Sequence, residues 1–320
     1  MNFNKAVEEF KEAKAAGVKT RPVVLGPISF LILGKADKDA PFGFQPINLL
    51  NKLIPVYETL LADLKAVGAE WVQVDEPVLV LDRAATLESQ FSAAYTALSK
   101  VAPKILLTTY FARLDSNLNY IAKLPIAGLH IDLDRAPEQL DEVLTTLRHT
   151  NIVVSIGLVS GRNIWKTDFE VAIKYGQKAI DSLGPERVII ATSSSLLHTP
   201  VTLASEKKLT EEQKDWFSFA LEKASEVTII AAVLSGSQDL AITAALEANK
   251  VSISKRRKFE STSDDTVRVR VAAITPGQLE RKSPFPTRKE IQAKHLNLPK
   301  FPTTTIGSFP VCHISNSSFP

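Results

Sequence analysis

A single cysteine, Cys312, is all the thiol this chain carries. It therefore forms no internal disulfide and builds no multi-cysteine zinc site of its own. The start, Met1-Asn2-Phe3-Asn4-Lys5, lacks the apolar core of a secretory leader, and no run of roughly 18 apolar residues follows. A cytoplasmic protein with no membrane partner is the expectation. No Gly-x-Gly-x-x-Gly follows the first apolar run and no phosphate-loop sequence occurs, so the usual marks of dinucleotide and nucleotide binding are missing. The serines of Thr192-Ser193-Ser194-Ser195-Leu196 lie near His198, yet without a Gly-x-Ser-x-Gly elbow they do not point to hydrolysis.

Charge is nearly balanced overall, at +3, but unevenly placed: from Val251 to Lys294 there are 11 Lys and Arg against 5 Asp and Glu, which leaves the remainder at −3. That basic stretch has no regular aromatic interleaving and no nucleic-acid motif, so a solvated face or a polyanionic substrate tail is expected rather than DNA or RNA.

What the chain does have is a repeated alternation. Helical spacing from Lys5 to Ala16 ends at Gly17, and Pro22 to Leu25 reads as a buried strand closed by a turn at Gly26-Pro27. A long helical pattern runs from Ile47 to Ala66. Strand candidates then follow at Glu70–Val74, Lys104–Thr108, Gly128–Leu133, Ile152–Ile156 and Arg187–Ala191. Helical patterns come after them near Ala85–Leu98, Leu114–Ala122, Pro137–Leu147, Phe169–Ser182 and Glu211–Ala224, with another at Gln238–Ala248. Strands separated by crossover helices predict a parallel sheet, and strands without clean alternation predict burial on both faces. Six strands fall two short of a closed (β/α)8 barrel. Either two strands are hidden or two are missing, and the abrupt opening of the chain in a helix agrees with missing strands.

Composition divides the chain into an α/β domain over residues 1–250, a connecting arm over 251–302 rich in charge and proline, and a final segment over 303–320 that opens like the start of another domain. Val267 to Val271 is a short alternating stretch within the arm.

Chemistry-bearing residues gather at the predicted carboxyl ends of strands, where a barrel carries its active-site loops. Asp75-Glu76-Pro77 can bind a cation, exchange protons, or anchor a loop by accepting backbone hydrogen bonds. His130 and Asp132, two residues apart, share one strand face and can contribute to a metal or general-base site or to a satisfied polar layer. The loop Gly157-Leu158-Val159-Ser160-Gly161-Arg162-Asn163 can receive an anion on its amides and Arg162, or simply turn the chain.

Taken together, Trp71-Val72-Gln73-Val74-Asp75-Glu76-Pro77, Gly128-Leu129-His130-Ile131-Asp132-Leu133, Gly157 to Trp165, Ser283-Pro284-Phe285 with Arg288 and Gln292, and Thr304-Thr305-Ile306-Gly307-Ser308-Phe309-Pro310 resemble cobalamin-independent methionine synthase. The motifs keep their order over residues 1–310. The resemblance implies an enzyme of two face-to-face (β/α)8 barrels that transfers a methyl group from 5-methyltetrahydropteroyltriglutamate to homocysteine without cobalamin. It implies a zinc in the C-terminal barrel, held by histidine, cysteines and glutamate, that activates the homocysteine thiol. It also implies that Ile306, Gly307 and Ser308 contact the amino-acid substrate. Departures occur at both ends. The family's first two strands, with the lysine and asparagine that hold the polyglutamate tail, have no counterpart before Met1, and after Pro310 the resemblance stops. The zinc ligands are therefore expected to be absent, and Cys312 beside His313 is read as tail. The chain is expected to be a fragment of the N-terminal domain, inactive alone and prone to self-association through exposed sheet edges. A non-catalytic scaffold module is the alternative.

Overall fold

The computed structural model describes residues 4–259 and 264–303; Ile306, Gly307, Ser308, Cys312 and His313 lie outside the described residues. The chain divides into two compact units, residues 1–258 and 259–320.

In the first unit, α1 (Lys5–Ala15) begins where the Asn4 side chain accepts the Val7 N–H, and it ends before Gly17, whose φ of 75° suits a residue without Cβ. Strand β1 (Val23–Leu25) passes through Gly26 into α2 (Pro27–Leu33). The predicted turn at Gly26-Pro27 is thus a helix start, with proline at the first helical position where its missing N–H has no partner to lose. The alternation continues through α3 (Leu50–Ala66), β2 (Trp71–Asp75), α4 (Glu88–Leu98), β3 (Lys104–Thr108) and α5 (Leu118–Ile121). It then runs through β4 (Gly128–Asp132), α6 (Leu140–Leu147), β5 (Val153–Val159), α7 (Phe169–Leu183) and β6 (Val188–Thr192). Three helices close the unit: α8 (Glu211–Trp216), α9 (Ala220–Leu234) and α10 (Leu240–Lys258). The predicted single helix over Glu211–Ala224 is broken because Phe217 forms an antiparallel bridge with Trp165 and the Ser218 N–H donates to the Ile164 carbonyl at 2.8 Å.

All six strands are parallel and lie in chain order, β1-β2-β3-β4-β5-β6. Among the described residues β1 and β6 do not pair, so the sheet has the winding of a (β/α) barrel without its closure. The register sorts side chains onto two faces. Val72, Val74, Ile105, Leu107, Leu129, Ile131, Val154 and Ile156 point toward the helices and join Leu61, Leu64, Phe91, Leu98 and Leu147 in one buried core. Burial of each such side chain contributes about 1.5–3 kcal/mol. The opposite face aligns Asp75, Thr108, His130 and Ser155 in one layer and Gln73, Leu106 and Gly128 in the next.

Burial on both faces, as the sequence predicts, holds for β4, for β3 after Lys104 and for most of β5, but fails in β1, β2 and β6. In β2 buried and half-buried residues alternate, Val23 and Leu25 of β1 are exposed, and β6 is half-buried throughout. A sheet that does not close leaves its marginal strands uncovered on the polar face.

The second unit contains α11 (Asp265–Ala272), α12 (Pro276–Leu279) and α13 (Phe285–Leu296) among its described residues. The alternating Val267–Val271 stretch is helical, capped by the Asp264 carboxylate on the Thr266 and Val267 N–H groups. None of its described residues is buried. No helix of the described residues is long and apolar enough to cross a membrane.

Candidate functional site

The strands' carboxyl ends surround a cleft of about 1030 Å³. Leu25, Pro77, Val78 and Leu81 line one side, Tyr110 and Phe111 follow β3, Gly161 to Ile164 follow β5, and Ser194 to Thr199 follow β6. The glycine-containing loop and the serine-rich loop, read separately from sequence, therefore meet here. Gly161 and Ser193 fasten them: the Gly161 N–H donates to Ser193 Oγ at 3.1 Å, and a Cβ at Gly161 would stand 2.5 Å from the Ser194 carbonyl oxygen.

Glu76 does not face the cleft. It is fully buried, and its carboxylate accepts the N–H groups of Ile28 and Ser29 at 3.2 and 2.7 Å and the Tyr95 hydroxyl at 3.2 Å. It holds the first turn of α2 against β2, supplying from 48 residues away the acceptor that Gly26 cannot. Gly26 is small for the same reason: a Cβ there would lie 2.2 Å from the Glu76 carboxyl carbon. Burial pushes the Glu76 carboxyl up to about 7, against the hydrogen bonds from Ser29, Ile28 and Tyr95.

Asp75 lies on the polar face of the sheet. Its carboxylate accepts from Gln73 Nε2 at 2.9 Å and the Tyr110 hydroxyl at 3.4 Å, and Gln73 Oε1 in turn accepts from Arg21 at 3.4 Å. Desolvation raises the Asp75 carboxyl, opposed by these hydrogen bonds and the Arg21 charge.

His130 is buried between Ser155 Oγ, 2.9 Å from Nδ1, and the Ser193 carbonyl, 3.3 Å from Nε2. A carbonyl only accepts, so Nε2 carries the proton; Nδ1 then accepts from the Ser155 hydroxyl. Burial depresses the imidazole to about 4, leaving it neutral. Asp132 is saturated by backbone: Oδ1 accepts from Asp134 and Arg135 at 3.0 and 2.9 Å, and Oδ2 from Phe111 at 2.9 Å. Desolvation raises its carboxyl against those bonds.

The Asp132–Phe111 contact has a consequence inside the cleft. Phe111 has a φ of 82°, a left-handed conformation that costs a bulky residue about 1–3 kcal/mol. The buried carboxylate holds it there, and the ring packs edge-on to Tyr110 with the Arg162 guanidinium 4.6 Å from its centroid. Sequence reading missed Phe111, Tyr110, Ser29 and Tyr95, because each acts through partners distant in the chain.

No group of three or more His, Cys, Asp or Glu able to hold a metal occurs among the described residues. His130 has both ring nitrogens engaged and Asp132 both oxygens, so neither fits the zinc that the resemblance implies for the family.

A family model for the N-terminal domain of cobalamin-independent synthase matches residues 1–183. The chain belongs to the cobalamin-independent methionine synthase family. Within that family it is 52% identical over 307 residues to a 5-methyltetrahydropteroyltriglutamate–homocysteine methyltransferase of Candida albicans, covering 96% of this chain and 39% of that protein. It is 50% identical over 312 residues to the Saccharomyces cerevisiae enzyme of the same description, covering 97% and 40%. The chain thus spans about 40% of the length of the curated relatives it matches. A B12-independent methionine synthase from Shewanella, solved with selenomethionine, shares the fold with a TM-score of 0.54 at 12% identity, over 72% of this chain and 66% of that one.

Proposed function

We propose that this chain is the N-terminal, metal-free part of a cytoplasmic methyltransferase that moves the methyl group of 5-methyltetrahydropteroyltriglutamate to homocysteine. In that reaction the homocysteine sulfur forms the new S–CH₃ bond, the N5–CH₃ bond breaks, and N5 takes the proton that the thiol gives up. Residues 1–250 serve as a barrel domain lacking two strands, 251–302 as the arm between domains, and 303–320 as the start of the catalytic domain. Ile306, Gly307 and Ser308 are assigned to the substrate's carboxylate and ammonium.

The observation that carries this reading is the match of 96% of the chain, at 52% identity, to a methyltransferase of which it forms 39%. The engagement of Glu76, His130 and Asp132 by backbone and buried hydroxyls supports a supporting role over a catalytic one. The test has two arms. The chain alone, supplied with zinc and both substrates, is expected to show no turnover and no tightly held stoichiometric metal. Joined to the part of the Candida relative that it does not match, it is expected to form methionine. Turnover by the chain alone overturns the non-catalytic assignment, and a folded but inactive fusion overturns the methyltransferase one.

A further inference from the structure

Arg162 has no role in the methyl-transfer reading, and it is set apart from other arginines of this domain by its place in the cleft wall against Phe111. Arg113 pairs with Asp115 and Glu142, Arg187 donates to the carbonyls of Leu147 and Ile152, and Arg257 pairs with Asp168. Among the described residues the Arg162 guanidinium makes no ion pair or hydrogen bond, only the face contact with Phe111, while its backbone N–H donates to Ser160 Oγ at 3.2 Å. Among the described residues it is the sole formally charged one lining the cleft, with no Asp, Glu or Lys beside it. The remaining walls are largely apolar. A further polar group lacks a partner: the buried Ser194 hydroxyl, in the loop against Gly161, is also part of the lining.

A guanidinium stacked on a ring keeps its in-plane N–H groups for a carboxylate, which it can meet with two parallel hydrogen bonds. The strained Phe111, fixed through Asp132, sets the plane of that stack. We propose that the cleft is a binding site for an aromatic carboxylate, its acid group on Arg162 and its planar body against Val78, Leu81, Ile164 and Leu197. The inference rests on the cleft alone. Absence of methyl transfer leaves it standing.

The test titrates the full chain with 2-naphthoate and its neutral isostere 2-naphthamide by calorimetry. The acid is expected to bind about tenfold or more tightly than the amide, the ratio a charge-assisted pair supplies. Arg162→Gln should bring the ratio to about one while leaving the circular dichroism melt in place, because the side chain is exposed. Arg162→Lys should restore only part of it, lacking the fork. Equal affinities in the native chain, no measurable binding of either compound at millimolar concentration, or a ratio unchanged in Arg162→Gln each overturns the proposal. Competition by 5-methyltetrahydropteroyltriglutamate separates the two sources of such an acid: displacement identifies the relatives' methyl donor, and no displacement identifies a separate small acid.

Discussion

Glu76 and His130 titrate in opposite senses, and their contributions to stability oppose each other over the same pH range. The Glu76 carboxyl rises from 4.5 to about 7 in the folded chain, so the folded state holds the proton that the unfolded state releases. Its contribution is full below about pH 4.5 and declines as pH rises toward 7. The His130 imidazole falls from 6.5 to about 4, so its contribution is full above about pH 6.5 and declines as pH falls toward 4. Each amounts to roughly 3 kcal/mol across its range. Unfolding in urea between pH 4.5 and 6.5 should therefore give Glu76→Gln a stability that rises with pH relative to the native chain, and His130→Asn one that falls. Parallel profiles for native chain and variants refute the assignment. Asp132→Ala removes the acceptor of three backbone N–H groups and is expected to cost about 2–4 kcal/mol, with Asp132→Asn milder because its amide oxygen still accepts; equal costs would show that the bonds to its oxygens are immaterial. The residue types at the strand ends were legible in sequence, since carboxylates and histidine stand out in apolar runs. Their roles were not. The partners of Glu76 lie 19, 47 and 48 residues away, and nothing in local spacing joins Phe111 to Asp132.

Two glycines show how element packing sets tolerance. Gly157 sits at the irregular pairing of β5 with β6, and a Cβ there would meet the Ser193 Cα at 2.5 Å, a backbone atom that moves only if β6 moves. Gly176, inside α7, would meet only the end of the Leu234 side chain, at 2.3 Å, which can rotate away. Gly157→Ala is expected to cost about 1–3 kcal/mol. Gly176→Ala should be near neutral, because about 1 kcal/mol of helix propensity offsets the repacking. Equal destabilisation in urea would refute the distinction. At this scale the sequence was most readable: the six strands lie within a few residues of their predicted positions because short apolar runs between turn residues have few other uses. The failures are physical. Helix α2 is only seven residues long and depends on a distant carboxylate, and the break between α8 and α9 depends on pairing with Trp165.

For the whole molecule, the open sheet is the governing feature. Val23 and Leu25 on β1 and Phe30 and Leu33 on α2 are 55, 37, 52 and 62% exposed, beside a strand edge that is unpaired among the described residues. Sedimentation velocity is expected to show concentration-dependent association, and thermal unfolding a lower and broader transition than a closed barrel gives. A sharp transition of a strictly monomeric species would count against both. Sequence announced the parallel α/β class through the strand–helix alternation and the family through five ordered motifs. The open sheet was also legible, as a count of six strands where a closed barrel needs eight, although the pairing of β1 with β6, about 165 residues apart, is something no local pattern addresses.

Strand order equal to chain order also permits an ordered assembly during synthesis. Every strand from β2 onward finds its hydrogen-bonding neighbour already made when it leaves the ribosome, and each crossover helix can dock as soon as the next strand is laid down. The nascent chain can thus assemble strand by strand, and a ribosome stalled after β4 is expected to hold a protease-resistant nucleus of four paired strands, which limited proteolysis of the stalled complex would check.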